Sequence, residues 1–271
     1  MTKRTDKPVK PVSKPYLTGS ITDERTAKSA LIFLGCLVLA AFMGFIVSAT
    51  VSAGAAWFRI ILNAAVILLT LAVFYTNGAN RGTEAVSYGE ILWQRREKGQ
   101  AVSDTELSLS YHGLKGFCVG LLGTIPLLIA AILLACMTQL QTTDSGTLPS
   151  WIQGYLSREE IGGALVHYTQ PSAMTFLDYL RLVVRIFLMP YINLPGASNH
   201  LAVLWVERLS PLLSLLPAFA YGLGYRTGKL NRTRIHTAIS ENNRRRIRRE
   251  KKARKARREE NTRRKGPEQL N

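Results

Sequence analysis

The residues with the clearest chemistry in this 271-residue chain are cations crowded into a short segment near its end. Cationic side chains at this density neutralise phosphate groups, whether of RNA or of anionic lipid head groups. No aromatic residue lies among them, so base stacking is not available and any binding of nucleic acid would be blind to sequence. The candidate polyanion-binding residues are Arg244, Arg245, Arg246, Arg248, Arg249, Lys251, Lys252, Arg254, Lys255, Arg257 and Arg258.

This polybasic tail is expected to be helical or disordered, and pairs such as Glu241–Arg245 and Glu250–Arg254 favour a helix once the positive charge is neutralised. Three partners stay open: anionic lipids of the inner leaflet, RNA or the ribosome, and a polar protein. The tail resembles the basic tails of Gram-positive members of the membrane insertase family. The resemblance covers the tail alone, because the family's arginine in the first span has no counterpart in the uncharged run 30–50.

Signatures of catalysis, by contrast, are absent from the sequence. His112, His167, His200 and His236 are scattered and form no metal-binding spacing. There is no nucleophile elbow and no phosphate-binding glycine loop. The three cysteines, Cys36, Cys118 and Cys136, fall within apolar runs and are expected to act as small hydrophobic residues. We therefore expect a protein that is not an enzyme and that uses no cofactor or metal.

Four apolar runs dominate the remainder of the chain, at about 29–50, 56–76, 116–138 and 203–225. A helix needs about 20 apolar residues to cross the hydrocarbon core, and each run supplies about that number. Only helices satisfy their own backbone hydrogen bonds in lipid. The sequence thus predicts an all-α integral membrane domain over 29–225, with four transmembrane helices.

The distribution of charge predicts the topology. Residues 1–28 contain seven Lys/Arg and three Asp/Glu, and residues 226–271 contain eighteen and five, so the two tails carry the whole net charge of +17. Positively charged residues next to spans stay on the cytoplasmic side. We therefore expect both termini in the cytoplasm, the loop 139–175 outside, and a bacterial inner or cytoplasmic membrane as the location.

Three connecting segments carry further expectations. Residues 1–28 alternate Lys with Pro and predict an extended cytoplasmic arm. Residues 81–113 predict a cytoplasmic helical hairpin, whose second helix starts at the capping box Ser103–Glu106 and runs through Tyr111.

The apolar segment 176–191 is short for a span and contains two arginines, each costing about 3 kcal/mol at mid-membrane depth. It predicts an amphipathic helix in the outer interface, since a fifth span would export the basic tail.

Two sets of residues are expected to organise the bundle. Gly116, Gly120 and Gly123 in the third span allow another helix to approach closely, and packing within the protein is favoured over dimerisation. Arg59 and Glu207 each lie about one turn into a span at the outer interface. We predict a possible ion pair between them, and the alternative is that each side chain reaches out to water by itself.

Together these features predict a non-enzymatic multi-pass membrane protein. Its polybasic cytoplasmic tail would bind anionic lipid, RNA or the ribosome, or a protein partner at the inner membrane face. The alternative is an accessory subunit of a membrane transport or export complex, in contact with other membrane proteins as well as membrane lipids.

Overall fold

A computed structural model of the chain describes residues 11–51, 56–139, 151–169, 175–196 and 199–264. These residues form an all-helical protein, 82% helix, in which the described part contains no strand. Its helices are α1 (Thr26–Val51), α2 (Ala56–Glu97), α3 (Asp104–Ser108), α4 (Lys115–Met137), α5 (Glu159–Thr169), α6 (Phe176–Asn193) and α7 (His200–Arg264), with one 3₁₀ turn at Gln153–Tyr155.

Four of these helices, α1, α2, α4 and α7, are long and apolar enough to cross a membrane. The prediction of an all-α protein with four such helices is confirmed. Their shared core is a cluster of buried side chains, to which each of the four helices contributes. The cluster consists of Phe33, Leu37, Phe74, Val119, Leu127, Ala218 and Tyr221.

The bundle has two distinct ends. The backbone N–H of Leu17, just before α1, donates to the carbonyl of Gly89 on the polar half of α2, at 3.2 Å. The N–H of Val12 donates to the hydroxyl of Thr237 on the polar half of α7, at 3.1 Å. The described parts of both chain tails therefore lie at one end, which we call the tail end. The opposite end, where α1 finishes and α2 begins, is the loop end.

Helix α2 differs from the predicted hairpin. It runs without a break for 42 residues, so the second span and the first half of the hairpin are a single helix about 63 Å long. The second half was predicted as a helix through Tyr111, and this is wrong, because α3 ends at Ser108. There the hydroxyl and the amide of Ser110 both bond to the carbonyl of Leu107, which competes with a further helical turn.

Helix α6 packs at the loop end against all four long helices. Leu188 joins Leu134 of α4 in a buried cluster, and Pro190 lies against Gly44 of α1. Its opposite face, which includes Phe176 and Tyr179, is exposed. The helix is thus amphipathic, as predicted, but its inner face inserts among the spans.

Candidate functional site: a basic helical arm on a two-helix stalk

The polar halves of α2 and α7 run side by side at the tail end, and we call residues 78–92 and 221–236 the stalk. Glycines bring the two backbones together. A Cβ atom at Gly78 would overlap the carbonyl oxygen of Tyr221, and one at Gly82 would overlap that of Tyr225. Helix backbones can approach this closely where small residues line the contact. The stalk is therefore a tightly packed helix pair.

The same contact is made from the side of α7. A Cβ at Gly224 would overlap the carbonyl of Tyr75, and one at Gly228 would overlap the backbone of Gly82. Each helix thus carries a pair of glycines four residues apart. This spacing is visible in the sequence, and sequence reasoning missed its meaning because both pairs lie at the polar ends of the spans.

A buried carboxylate fixes the far end of the stalk. Glu90 accepts hydrogen bonds from Nε and Nη2 of Arg232, at 3.0 and 2.8 Å, and its other oxygen lies 2.7 Å from Nε2 of His236. Glu90 and His236 are both buried. Charge-assisted bonds in this geometry set the rotation of α7 relative to α2 as well as their spacing.

The N-terminal segment 11–19 braces the stalk from outside. Beyond its bonds to Gly89 and Thr237, the N–H of Gly19 donates to the carbonyl of Tyr111 at 3.0 Å. The ammonium of Lys229 lies 5.7 Å from the ring centroid of Tyr16. This part of the N-terminal segment, which was predicted to be extended, is therefore held against the protein. Residues 1–10 lie outside the described residues.

The loop between α3 and α4 closes the remaining side. The ring of Tyr111 stacks on that of Tyr225 at 5.5 Å, and its hydroxyl donates to the carbonyl of Arg226 at 3.1 Å. Lys115 lies 2.5 Å from Asp23 and donates to the carbonyl of Ser108 at 2.9 Å. Burial would raise the pKa of Asp23, but the hydrogen bonds from Lys115 and Thr26 and the Lys115 charge outweigh it and lower that pKa below its ordinary value.

Beyond the stalk, α7 continues alone over residues 238–264, which we call the arm; at helical rise this is about 40 Å. All eleven predicted polyanion-binding side chains lie on it and are exposed. At 100° per residue they cover every side of the helix. The arm is therefore a rod of positive charge, with no apolar face.

The acids of the arm do not form the predicted pairs within the described residues. Glu250 contacts Arg246 at 2.9 Å in place of Arg254, and Glu259 contacts Lys255 at 3.8 Å. Exposed pairs of this kind contribute little to stability, and each acid has several cations within reach. Charge excess therefore decides the properties of the arm, and the choice of pairs does not.

The predicted packing glycines lie inside the bundle. A Cβ at Gly116 would meet the ring of Tyr225, and one at Gly120 would meet Ala218, so both face α7. Gly123 faces α1, where a Cβ would meet the carbonyl of Ala30. All three approaches are made within one chain.

The possible ion pair between Arg59 and Glu207 is not formed, and this prediction is corrected. Glu207 is buried and pairs with Arg185, at 2.6 Å, and with Arg181, at 3.7 Å; Thr138 also donates to it. The insertion of α6 brings these arginines closer than α2 brings Arg59. The side chain of Arg59 lies instead against the backbone of Gly196.

Sequence reasoning had the signal for these partners, since Arg181 and Arg185 are four apart on one face of α6. It placed them at water because an unpaired arginine in lipid is costly. Their pairing with Glu207, and the contact of Arg181 with Asp178 at 4.0 Å, offset part of that cost.

The described residues contain no group of three or more His, Cys, Asp or Glu side chains placed to hold a metal. Comparisons were made with protein-family models, curated proteins and solved structures, and none of them matches this chain.

Proposed function

We propose that this protein is a membrane anchor for RNA, and that the arm is its binding surface on the cytoplasmic side of a bacterial membrane. The observation that supports this most directly is the continuity of α7. One helix passes from the apolar bundle through the glycine-packed stalk into the arm, so the cations are presented on a rigid support. The positive-inside rule favours the cytoplasmic side for this end.

Distance favours a soluble polyanion over the lipid head groups of the same membrane. Counted from Arg226, the first charged residue beyond the apolar run, Arg244 lies about 27 Å along the helix and Arg258 about 48 Å. The stalk holds the direction of α7 as far as His236. A charged leaflet attracts cations only within about 8 Å at physiological salt. Most of the arm therefore stands beyond the reach of its own membrane.

The shape of the charge also favours RNA. A helix that lies on a membrane has one basic face and one apolar face. The arm has cations on every side, which suits phosphates that approach from several directions, as in folded RNA. Because aromatic residues are lacking, contacts would go to the backbone and position the RNA without reading its sequence.

The test uses the full-length protein in nanodiscs of neutral phosphatidylcholine and a fluorescent structured RNA. We expect binding whose affinity falls by about 10³ or more between 50 and 200 mM salt, as for proteins that contact six or more phosphates. Replacing the eleven cations between residues 244 and 258 with Gln should abolish binding. An all-Lys arm is the matched control and should retain it, because charge and not guanidinium geometry is required.

Salt-independent binding, or full binding by the Gln arm, would overturn the proposal. If anionic nanodiscs added in competition displace the RNA from the arm, the lipid leaflet is favoured as the partner. If mild-detergent purification brings down other multi-pass proteins and no salt-released RNA, the accessory-subunit function replaces this one.

A further inference from the structure

Two cavities follow the seam between α1 and α2, away from the arm. The first, at the tail end, is a cleft of about 280 Å³ with five charged residues in its lining, Asp23, Arg25, Arg81, Glu84 and Lys115. The second is an apolar groove of about 400 Å³. Its lining includes Leu39, Met43, Leu69 and Val73, all of which are more than half exposed on the outside of the bundle. One cavity suits a charged group and the other suits hydrocarbon.

The cleft and the groove adjoin along both helices. On α1, Ser29 lines the cleft and Cys36 lines the groove, seven residues and about 10 Å apart on one face. On α2, Arg81 lines the cleft and Asn77 lines the groove, four residues and about 6 Å apart. A molecule with a polar head and an apolar chain could therefore occupy both.

The charge left in the cleft is positive. The carboxylate of Asp23 forms an ion pair with Lys115 at 2.5 Å. Arg81 contacts Glu84 at 3.2 Å, but both side chains are more than half exposed and the pair is open to exchange. Arg25 is exposed and forms no ion pair with any residue in the described ranges. The cations of the cleft thus outnumber its carboxylates by one, and the hydroxyl groups of Ser29 and Tyr88 lie in the same lining. This environment suits a phosphate monoanion.

We propose that the α1–α2 seam binds one molecule of an anionic glycerophospholipid. Its phosphate lies in the cleft against Arg25 and Arg81, and an acyl chain lies in the groove. Basic pockets between transmembrane helices on the cytoplasmic side bind such head groups. A free phosphate would leave the groove empty, and a partner's transmembrane helix would leave the cleft unfilled. The site shares no residue with the arm and does not depend on the proposed function.

Native mass spectrometry of the full-length protein in neutral detergent tests the proposal. Phosphatidylglycerol and phosphatidylcholine are supplied in equal amounts at 300 mM salt, which weakens binding to the exposed arm. We expect one retained phosphatidylglycerol. The variant Arg25→Gln/Arg81→Gln should lower its occupancy by about fivefold for each arginine removed. The matched control Lys28→Gln/Arg226→Gln removes two exposed cations at the same end that do not line the cleft, and should leave occupancy unchanged.

The groove is tested by a second matched pair. Leu69→Trp fills the groove and should reduce retention, whereas Leu68→Trp, at an equally exposed position beside it, should not. Glycerol phosphate, a head group without a chain, should fail to displace the lipid. Equal retention of the two lipids, or equal loss in the cleft variant and its control, would overturn the proposal. Displacement by glycerol phosphate would show that the groove takes no part.

Discussion

The two ends of the bundle hold α7 in place by different means. At the loop end, Glu207 is bound by two arginines from α6 and accepts a hydrogen bond from Thr138. At the tail end, Glu90 is bound by Arg232 and His236, but the glycines of the stalk bring the helices together first. The loop end thus depends on charge compensation, and the tail end depends on backbone shape.

Solvent explains the difference. The Glu207 and Arg181 side chains are 4% and 9% exposed, in a part of the protein flanked by apolar helices. If either of these two charges loses its partner, water does not hydrate it. At the tail end Arg232 is 27% exposed and at the loop end Arg185 is 36% exposed, so water can replace a lost partner of either side chain. The larger effect of mutation at the loop end is therefore expected from Arg181, which is buried among apolar helices.

The largest effect is expected for Glu207→Gln. The change keeps the shape but removes the carboxylate that Arg181 and Arg185 share; the Arg181 pair is buried, and breaking a buried pair costs about 3–5 kcal/mol. We expect loss of most folded protein in mild detergent, measured by size-exclusion chromatography and thermal unfolding.

The adjacent Arg208→Gln is the control for that substitution. Arg208 is exposed and lies over Trp205, so its loss should change the melting temperature little. Adding Arg181→Gln to Glu207→Gln should restore part of the stability, because it removes the buried one of the two arginine charges. If the two neighbouring single variants behave alike, the loop end does not depend on charge compensation.

A smaller loss is expected for Gly82→Ala in the stalk. The added Cβ would overlap the carbonyl of Tyr225, and overpacking of this kind costs about 1–3 kcal/mol. The matched control is Gly35→Ala, where nothing lies within 4 Å of the added atom. Alanine gains about 1 kcal/mol of helix propensity over glycine, so the control should be neutral or stabilised. Thermal unfolding that shifts in the same direction for both variants would contradict the role given to the stalk.

Much of this contrast could not be read from the sequence. Length and hydropathy predict the four long helices because lipid imposes one requirement on every span. The continuation of α2 beyond its span was harder to predict, because lipid imposes no such requirement on its polar half. Gly99, which has a positive φ and follows the end of α2, marks the true end of that helix. Within 81–113 the sequence therefore indicated the end of the first helix and the start of the second, but not the continuity of the first with the span or the end of the second at Ser108.

The ion-pair partner of Glu207 also could not be predicted from the sequence. Three arginines, Arg59, Arg181 and Arg185, were available at the loop end, and local spacing cannot rank partners on different helices. The choice depends on how deeply α6 inserts, which is a property of the whole bundle. The arm was the opposite case, because a run of exposed cations needs no tertiary partner to be recognised.

The smallest expected effect, and the one that separates the two ends by pH, is that of Asp23→Asn at the tail end. Because the pKa of Asp23 is lowered by folding, the stability it contributes is fully present above its ordinary value of 3.8 and is lost as the pH falls through the folded pKa. We expect wild-type stability, followed by thermal unfolding in detergent, to decline below about pH 4, with a shallower decline in the variant.

At neutral pH, Asp23→Asn should cost only about 1 kcal/mol, the value of a typical hydrogen bond. Lys115 is as buried as Arg181, but it keeps its bond to the carbonyl of Ser108, and its flexible stem at the start of α4 can carry the ammonium to water. At the loop end Arg185 is half-exposed and has the same relief, whereas Arg181 lies among apolar helices, so the loss of one carboxylate should cost more there. A variant that loses as much at pH 7 as Glu207→Gln, or whose acid decline parallels that of the wild type, would show that the ends are not distinguished by access to water.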